Sequence, residues 1–332
     1  MRAVGIILAG GNNNRMKELT HKRAVAAMPI AGSYRSIDFA LSNMTNSHIQ
    51  KVAVLTQYNA RSLNEHLNSS KWWNFGRKQG GLYVFTPTIT NDNGYWYRGT
   101  ADAIYQNMDF LKKSHEPYVV IASGDAVYKM DYRKVLQYHI DKKADVTVVC
   151  KEMDPSDDVS RFGTIRMDDD MRITEFEEKP MVTKSNMIST GIYVIRRRLL
   201  IDLIEHAAEE ERFDFVNDVL IRYKNLKKIY GYKIDHYWSN IATVDAYYKT
   251  NMDFLKPEVR NYFFKQDPEI YSKVSDLPPA KYNPGASVKN SLVGSGSIIN
   301  GTVENSVIFK QVFVGNNCVI KNSVILNDVY LG

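Results

Sequence analysis

The chain has 332 residues, 44% hydrophobic and 24% charged, with 43 basic against 37 acidic side chains and a net charge of +6. This is enough chain for one large domain or a large and a small one, and the composition excludes disordered and fibrous classes. Cys150 and Cys318 are too few and too far apart for a disulfide framework or a zinc site. The apolar segment after Arg2 is broken too early by glycine to be a signal peptide or a membrane span, so a cytoplasmic setting is expected. Basic clusters at Arg196–Arg198 and at Lys224, Lys227 and Lys228 read as solvated flanks of helices and strands, so neither nucleic acid nor membrane is expected as a partner. The positive balance does suit phosphorylated small molecules.

Val4–Leu8 is a short apolar run, as expected of a strand buried on both faces. It stops at Ala9-Gly10-Gly11, where missing side chains let the backbone turn and approach a ligand. Asn12, Asn13, Asn14 and Arg15 follow. A strand, a glycine turn and a basic residue make a phosphate cradle, although neither G-x-G-x-x-G nor a P-loop is present. Strand candidates at 52–56, 118–123 and 145–150 alternate with helix candidates at 38–47, 100–113 and 131–142. This alternation predicts an α/β fold with an open, mainly parallel sheet and helices on both faces. The loops after Leu8 and Ala122 would then lie at the carboxyl ends of strands, where such sheets bind ligands.

Residues 161–195 read as antiparallel strands. Helices are predicted at 198–211, 215–224 and 243–255, with a strand at 228–235. Five prolines between 257 and 285 and few apolar runs mark 257–283 as a connector between a first domain, 1–256, and a second, 284–332. In the second, Val293 and Ile299 stand six apart, as do Ile308, Val314, Ile320 and Leu326. Hexapeptide spacing predicts a small left-handed parallel β-helix with these aliphatic side chains inward. Its few coils would need capping by the first domain or a partner.

Several motifs taken together resemble the ADP-glucose pyrophosphorylases, sugar nucleotidyltransferases. These are the opening loop through Met16, Gly32–Asn43, Val54–Tyr58, Trp96–Ala103, Ser123-Gly124-Asp125, Tyr128–Tyr132 and Phe176–Pro180, in the family's order. The resemblance implies a Rossmann-like nucleotidyltransferase domain joining ATP and glucose 1-phosphate into ADP-glucose and pyrophosphate. The sugar-phosphate nucleophile is already ionised, so positioning and charge neutralisation by magnesium and basic residues carry such chemistry. It further implies Gly10, Gly11 and Arg15 on the nucleotide phosphates and Gln57, Gly99, Thr100 and Asp102 lining the nucleotide site. Glu178 would meet a glucose hydroxyl, Lys179 the sugar phosphate and Asp125 the metal ion. From the residues alone, Glu178 and Lys179 also read as an exposed charge pair beside Pro180. Asp102 likewise reads as a first-turn acid favoured by a helix dipole.

The chain departs from the family's catalytic pattern. Asn13-Asn14 stand where active members carry Gly-Thr or Gly-Ser, Val25 where they carry a phosphate-binding lysine, and Ala126 where they carry histidine. Asn240 replaces the second magnesium aspartate. An amide oxygen is a weaker ligand than a carboxylate for a hard cation, and one lost catalytic charge costs on the order of 10²–10³ in rate. Within the family the chain therefore resembles the regulatory D-type subunits of bacterial glycogen biosynthesis, which assemble with a catalytic subunit into hetero-oligomers, as tetramers. By that resemblance, own turnover is expected to be very low, magnesium binding doubtful, and ATP, ADP-glucose or a sugar phosphate the ligands. The family usually continues beyond Gly332. An active nucleotidyltransferase with altered metal ligands, and an assembly scaffold, are the alternatives left open.

Overall fold

The computed structural model describes residues 2–11, 14–76, 80–90 and 94–332. The first strand, β1 (Ala3–Ala9), is followed by the hairpin of β2 (Pro29–Ile30) and β3 (Tyr34–Arg35), then α1 (Ser36–Asn46), β4 (Lys51–Thr56), α2 (Arg61–Leu67) and β5 (Gly81–Phe85). Next come α3 (Thr100–Gln106), α4 (Met108–Lys112), β6 (Tyr118–Ser123), β7 (Ala126–Tyr128), α5 (Tyr132–Asp141) and β8 (Val146–Glu152). A three-stranded arm, β9 (Gly163–Met167), β10 (Ile173–Glu178) and β11 (Met187–Arg196), leads to α6 (Arg197–Glu209), β12 (Ile229–Ile234) and β13 (Trp238–Asn240). Two helices, α7 (Val244–Asp253) and α8 (Pro257–Phe264), complete the first domain.

The central sheet runs β10-β9-β11-β6-β1-β4-β5, with β8 beside β11 and β12 beside β8. Its heart is parallel: β1 pairs with β4 and β6, and β4 with β5. The arm is antiparallel, as the 161–195 pattern predicts. Side chains alternate between two cores. Ile7, Val54 and Val120 pack with Leu41 and Met44 of α1 and Val135 of α5, while Ile6, Leu55 and Ile121 pack with Ile104, Phe110 and Leu203 on the opposite face. Gly5 permits this closeness, because a Cβ there would stand 2.8 Å from the Met44 sulfur.

The helix predicted over 100–113 is broken. Asn107 donates through its side-chain amide to the Ala103 carbonyl and the Tyr97 hydroxyl, both at 2.9 Å, and the backbone leaves helical geometry there. An asparagine side chain competing for backbone partners is a local alternative to helix continuation. The helix predicted over 215–224 is present, most of it as a wide π-type run, Phe215–Ile221, capped by the Asp214 carboxylate and continued by one further residue pair.

The segment predicted as a bare connector opens instead with α8, for which Pro257 at the first helical position supplies a preset φ. Phe263 of that helix is buried against Phe39 and Phe254. Farther on, the Ser272 hydroxyl donates to buried Asp38 at 2.6 Å, and the Tyr271 carbonyl accepts from the Trp73 indole at 3.2 Å.

From Lys281 onward the chain forms three small parallel sheets stacked as coils, the arrangement of a left-handed β-helix. Each coil takes 15 or 17 residues: Ser287 pairs with Thr302, and Thr302 with Val319. The coils are thus shorter than three full hexapeptides. Ile299, Ile308, Val314 and Ile320 fill the interior with Val293 at its margin. Leu326, expected inward, instead joins Leu255, Val307 and Phe309 at the seam with the first domain, since the tightened corners shift the last register.

Candidate functional site

Three strands end together at one edge of the sheet. The register pairs Leu8 with both Leu55 and Ser123, so the chain leaves the sheet side by side at Gly10, Gln57 and Gly124. The Gly124 amide donates to the Leu8 carbonyl at 3.0 Å and closes this edge. Over it lies a cavity of about 650 Å³.

On the β1–β4 side the cavity is lined by Gly10, Gly11, Arg15, Gln57, Gly99 and Thr100. Gly10 permits contact with Gln57, because a Cβ would come within 3.2 Å of the Gln57 Cβ. The Gln57 amide is occupied: its oxygen accepts from the Tyr97 N–H at 2.6 Å and its nitrogen donates to the Tyr97 carbonyl at 3.2 Å. It therefore pins the 97–100 loop rather than presenting a free amide. Gly99 has extended backbone, and packing makes it glycine, since a Cβ would lie 2.3 Å from the Phe213 carbonyl oxygen. Thr100 accepts from the Phe215 N–H at 2.9 Å. Asp102 does not line the cavity. It is buried in the first turn of α3, accepting from the Arg98 N–H at 2.8 Å and pairing with the Arg98 guanidinium at 3.2 Å. That is the first-turn-acid reading of its position, which holds Arg98 at the cavity wall.

On the β6–β11 side stand Ser123, Asp125, Arg161, Lys179, Tyr193 and Asn240. The Ser123 hydroxyl donates to Asp125 Oδ1 at 2.5 Å. Pairing of β13 with β7 sets Asn240 opposite Ala126, one residue from Asp125, and the Ile241 N–H donates to the Asp125 carbonyl at 2.9 Å. Asp125 and Asn240 thus lie side by side although 115 positions separate them in sequence. The Asn240 amide oxygen already accepts from the Ala242 N–H at 3.0 Å. Val25 is a buried apolar wall residue in the turn Val25–Ala27. Lys179 has φ of 47°, lines the cavity, and is paired at 3.0 Å with Glu178, which is not itself among the lining residues. Asn14 opens the turn at Asn14–Thr20, and Asn13 falls outside the described residues.

Charge in the lining is lopsided among the described residues: Arg15, Arg98, Arg161 and Lys179 against one carboxylate, Asp125. Such a wall suits a polyanion. The resemblance leaves Asp125 as a weak magnesium ligand at most, with Asn240 in place of the family's second aspartate, and the donors present do not fit a two-carboxylate cation site. One is a single carboxylate and the other a neutral oxygen already accepting a hydrogen bond. Sequence reasoning missed Arg161, which reaches the cavity only because the turn before β9 folds over it. No spacing in the sequence signals that.

Residues 4–257 match the nucleotidyl transferase family, and residues 278–332 match the GlmU-like C-terminal hexapeptide family. The glucose-1-phosphate adenylyltransferase of Clostridium botulinum (strain Alaska E43 / Type E3) is 42% identical over 325 residues, 97% of this chain and 84% of that protein. The enzyme of the same name from Clostridium novyi (strain NT) is 40% identical over 320 residues, covering 96% of this chain and 84% of its own length. That from Thermosipho melanesiensis is also 40% identical over 320 residues, 96% of this chain and 77% of its own.

Proposed function

We propose, from the premise that this chain belongs to the glucose-1-phosphate adenylyltransferase family, that it is a weakly catalytic or non-catalytic regulatory subunit. Its cavity would take ATP, ADP-glucose or a sugar phosphate and turn them over slowly. Its role would be to assemble with a catalytic homologue, as a tetramer in the cytoplasm, and raise or modulate that partner's output in glycogen biosynthesis. The observation carrying this reading is the Asp125–Asn240 pair, where the second position offers an amide oxygen already engaged by Ala242. Val25 supports it by placing a hydrocarbon in the wall at the position of the family's lysine.

In the family reaction a sugar-phosphate oxygen attacks the α-phosphorus and pyrophosphate leaves. The protein contributes position and positive potential. In this chain Arg15, Lys179 and the Gly10-Gly11 turn can still hold phosphates, but charge at positions 25 and 240 is missing. Assaying ADP-glucose synthesis by this protein alone, by a catalytic homologue alone and by the two mixed tests the proposal. Negligible turnover alone with a clear change on mixing is expected, and strong turnover alone would sink it.

The retained cations favour one runner-up, an active nucleotidyltransferase with altered metal ligands. Introducing Asn240→Asp with Val25→Lys separates the two. As a regulatory subunit the chain should gain activity by on the order of 10²-fold or more, whereas an already competent enzyme should change little. If calorimetry detects no ligand at all, a bare assembly scaffold remains.

A further inference from the structure

Arg161 precedes β9 and contributes its guanidinium to the cavity wall beside Asp125 and Lys179. The group lies over the Phe162 ring, 4.6 Å from its centroid, so its plane is supported from one side. Of its five N–H donors, the described partners take up one weakly, through the Thr243 hydroxyl at 3.4 Å. Arg98 and Lys179, by contrast, are paired with Asp102 and Glu178. No carboxylate among the described residues lies within 4.0 Å of Arg161. Burial lowers its pKa; Asp158 and Asp125 oppose that, and Arg15 adds to it. Thr243 is moreover the N-cap of α7, its hydroxyl accepting from the Ala246 N–H at 3.2 Å, so the guanidinium faces the positive end of a helix. A half-buried cation with spare donors, near a second arginine and a helix N-terminus, is an arrangement that an anion completes.

We infer that Arg161 binds a phosphate group of the cavity's ligand and supplies positive charge that the Val25 position lacks. This rests on the reading of the cavity as a site for a phosphorylated ligand. It adds a residue that neither the glycine loop nor the Glu178-Lys179 motif contains. The phosphate comes from either end of the ligand, the sugar phosphate or the pyrophosphate portion of the nucleotide.

Calorimetric titration of the full chain with glucose 1-phosphate, and separately with inorganic pyrophosphate, tests it. Arg161→Gln should weaken binding of one or both probes by on the order of 10- to 100-fold, and Arg161→Lys should recover part of the loss. Arg161→Met keeps the contact with the Phe162 ring without charge and should match Arg161→Gln, with all three melting near the wild type. Loss confined to glucose 1-phosphate assigns the residue to the sugar phosphate; loss confined to pyrophosphate assigns it to the nucleotide. Wild-type affinity for both probes in Arg161→Gln overturns the inference and leaves the ligand-binding reading intact. A lysine variant no better than the neutral ones also overturns it, since that outcome marks a packing role. A wild-type protein that binds neither probe removes the inference together with the reading of the cavity.

Discussion

Single residues here are specified by what they touch more than by what type they are. His139 of α5 is fully inside: Nδ1 meets the Thr147 hydroxyl at 2.8 Å, and Nε2 is buried with no partner among the described residues. Burial, reinforced by Arg196, lowers its pKa to about 4, below the ordinary value of 6.5. The folded protein therefore holds the neutral ring while the unfolded chain accepts a proton near pH 6.5. Stability from this group is complete above that pH and falls as pH drops toward about 4, by at most about 1.4 kcal/mol per unit. Urea unfolding at pH 7 and pH 5 should display this slope, and His139→Asn, which keeps a donor near Thr147, should flatten it. The same dependence on surroundings separates Gln57 from Asp102. Both belong to motifs that mark the nucleotide site in sequence. In space one spends its amide on the Tyr97 backbone, and the other is buried beneath the wall, holding Arg98.

Elements are shaped where side chains interrupt regular backbone. The loop from Tyr97 to Thr100 is held by Gln57 on one side and by the 213–215 segment on the other, where the Ala101 N–H donates to the Phe213 carbonyl at 2.8 Å. Gly99→Ala should cost about 1–3 kcal/mol, because the new methyl meets backbone rather than a movable side chain. Since that backbone must shift, nucleotide binding should weaken along with stability. Denaturant melts and an ATP titration on the same variant check both effects. A melting curve and ATP affinity equal to the wild type would refute this account of the loop. Helix length follows the same rule: apolar periodicity runs through 100–113, but the Asn107 side chain turns back to the Ala103 carbonyl and out to the Tyr97 hydroxyl, which no periodicity encodes.

At the scale of the molecule, the two domains share a hydrophobic seam. Leu255 and Met252 of the first meet Val307, Phe309 and Leu326 of the second, and the Tyr248 hydroxyl donates to the Asn322 carbonyl at 2.8 Å. The first domain thereby supplies part of the packing around the coils, as a neighbouring unit does for stacked repeats. Phe309→Ala should cost about 3–5 kcal/mol, the range for truncating a buried phenylalanine. If the seam couples the domains, the variant should expose the second domain to limited proteolysis before the first unfolds. Unchanged protease resistance would mean that the coils stand by themselves. No helix among the described residues is long and apolar enough to cross a membrane.

The sequence by itself determined the alternation of strands and helices, the parallel heart of the sheet, the antiparallel arm and the stacked coils. These follow from local periodicities of two, 3.6 and six residues, which the chain carries in its own order. It also marked Gly10, Gly11, Asp125, Lys179 and Asn240 through motifs. Tertiary structure alone decided that Asp125 and Asn240 are neighbours, that Asp102 lies beneath the wall holding Arg98, and that Arg161 lies in it. Those outcomes depend on the pairing of β7 with β13 and on a turn folding over the sheet edge, contacts between residues far apart in the chain. Proximity of that kind comes from packing and register, and no local spacing records it.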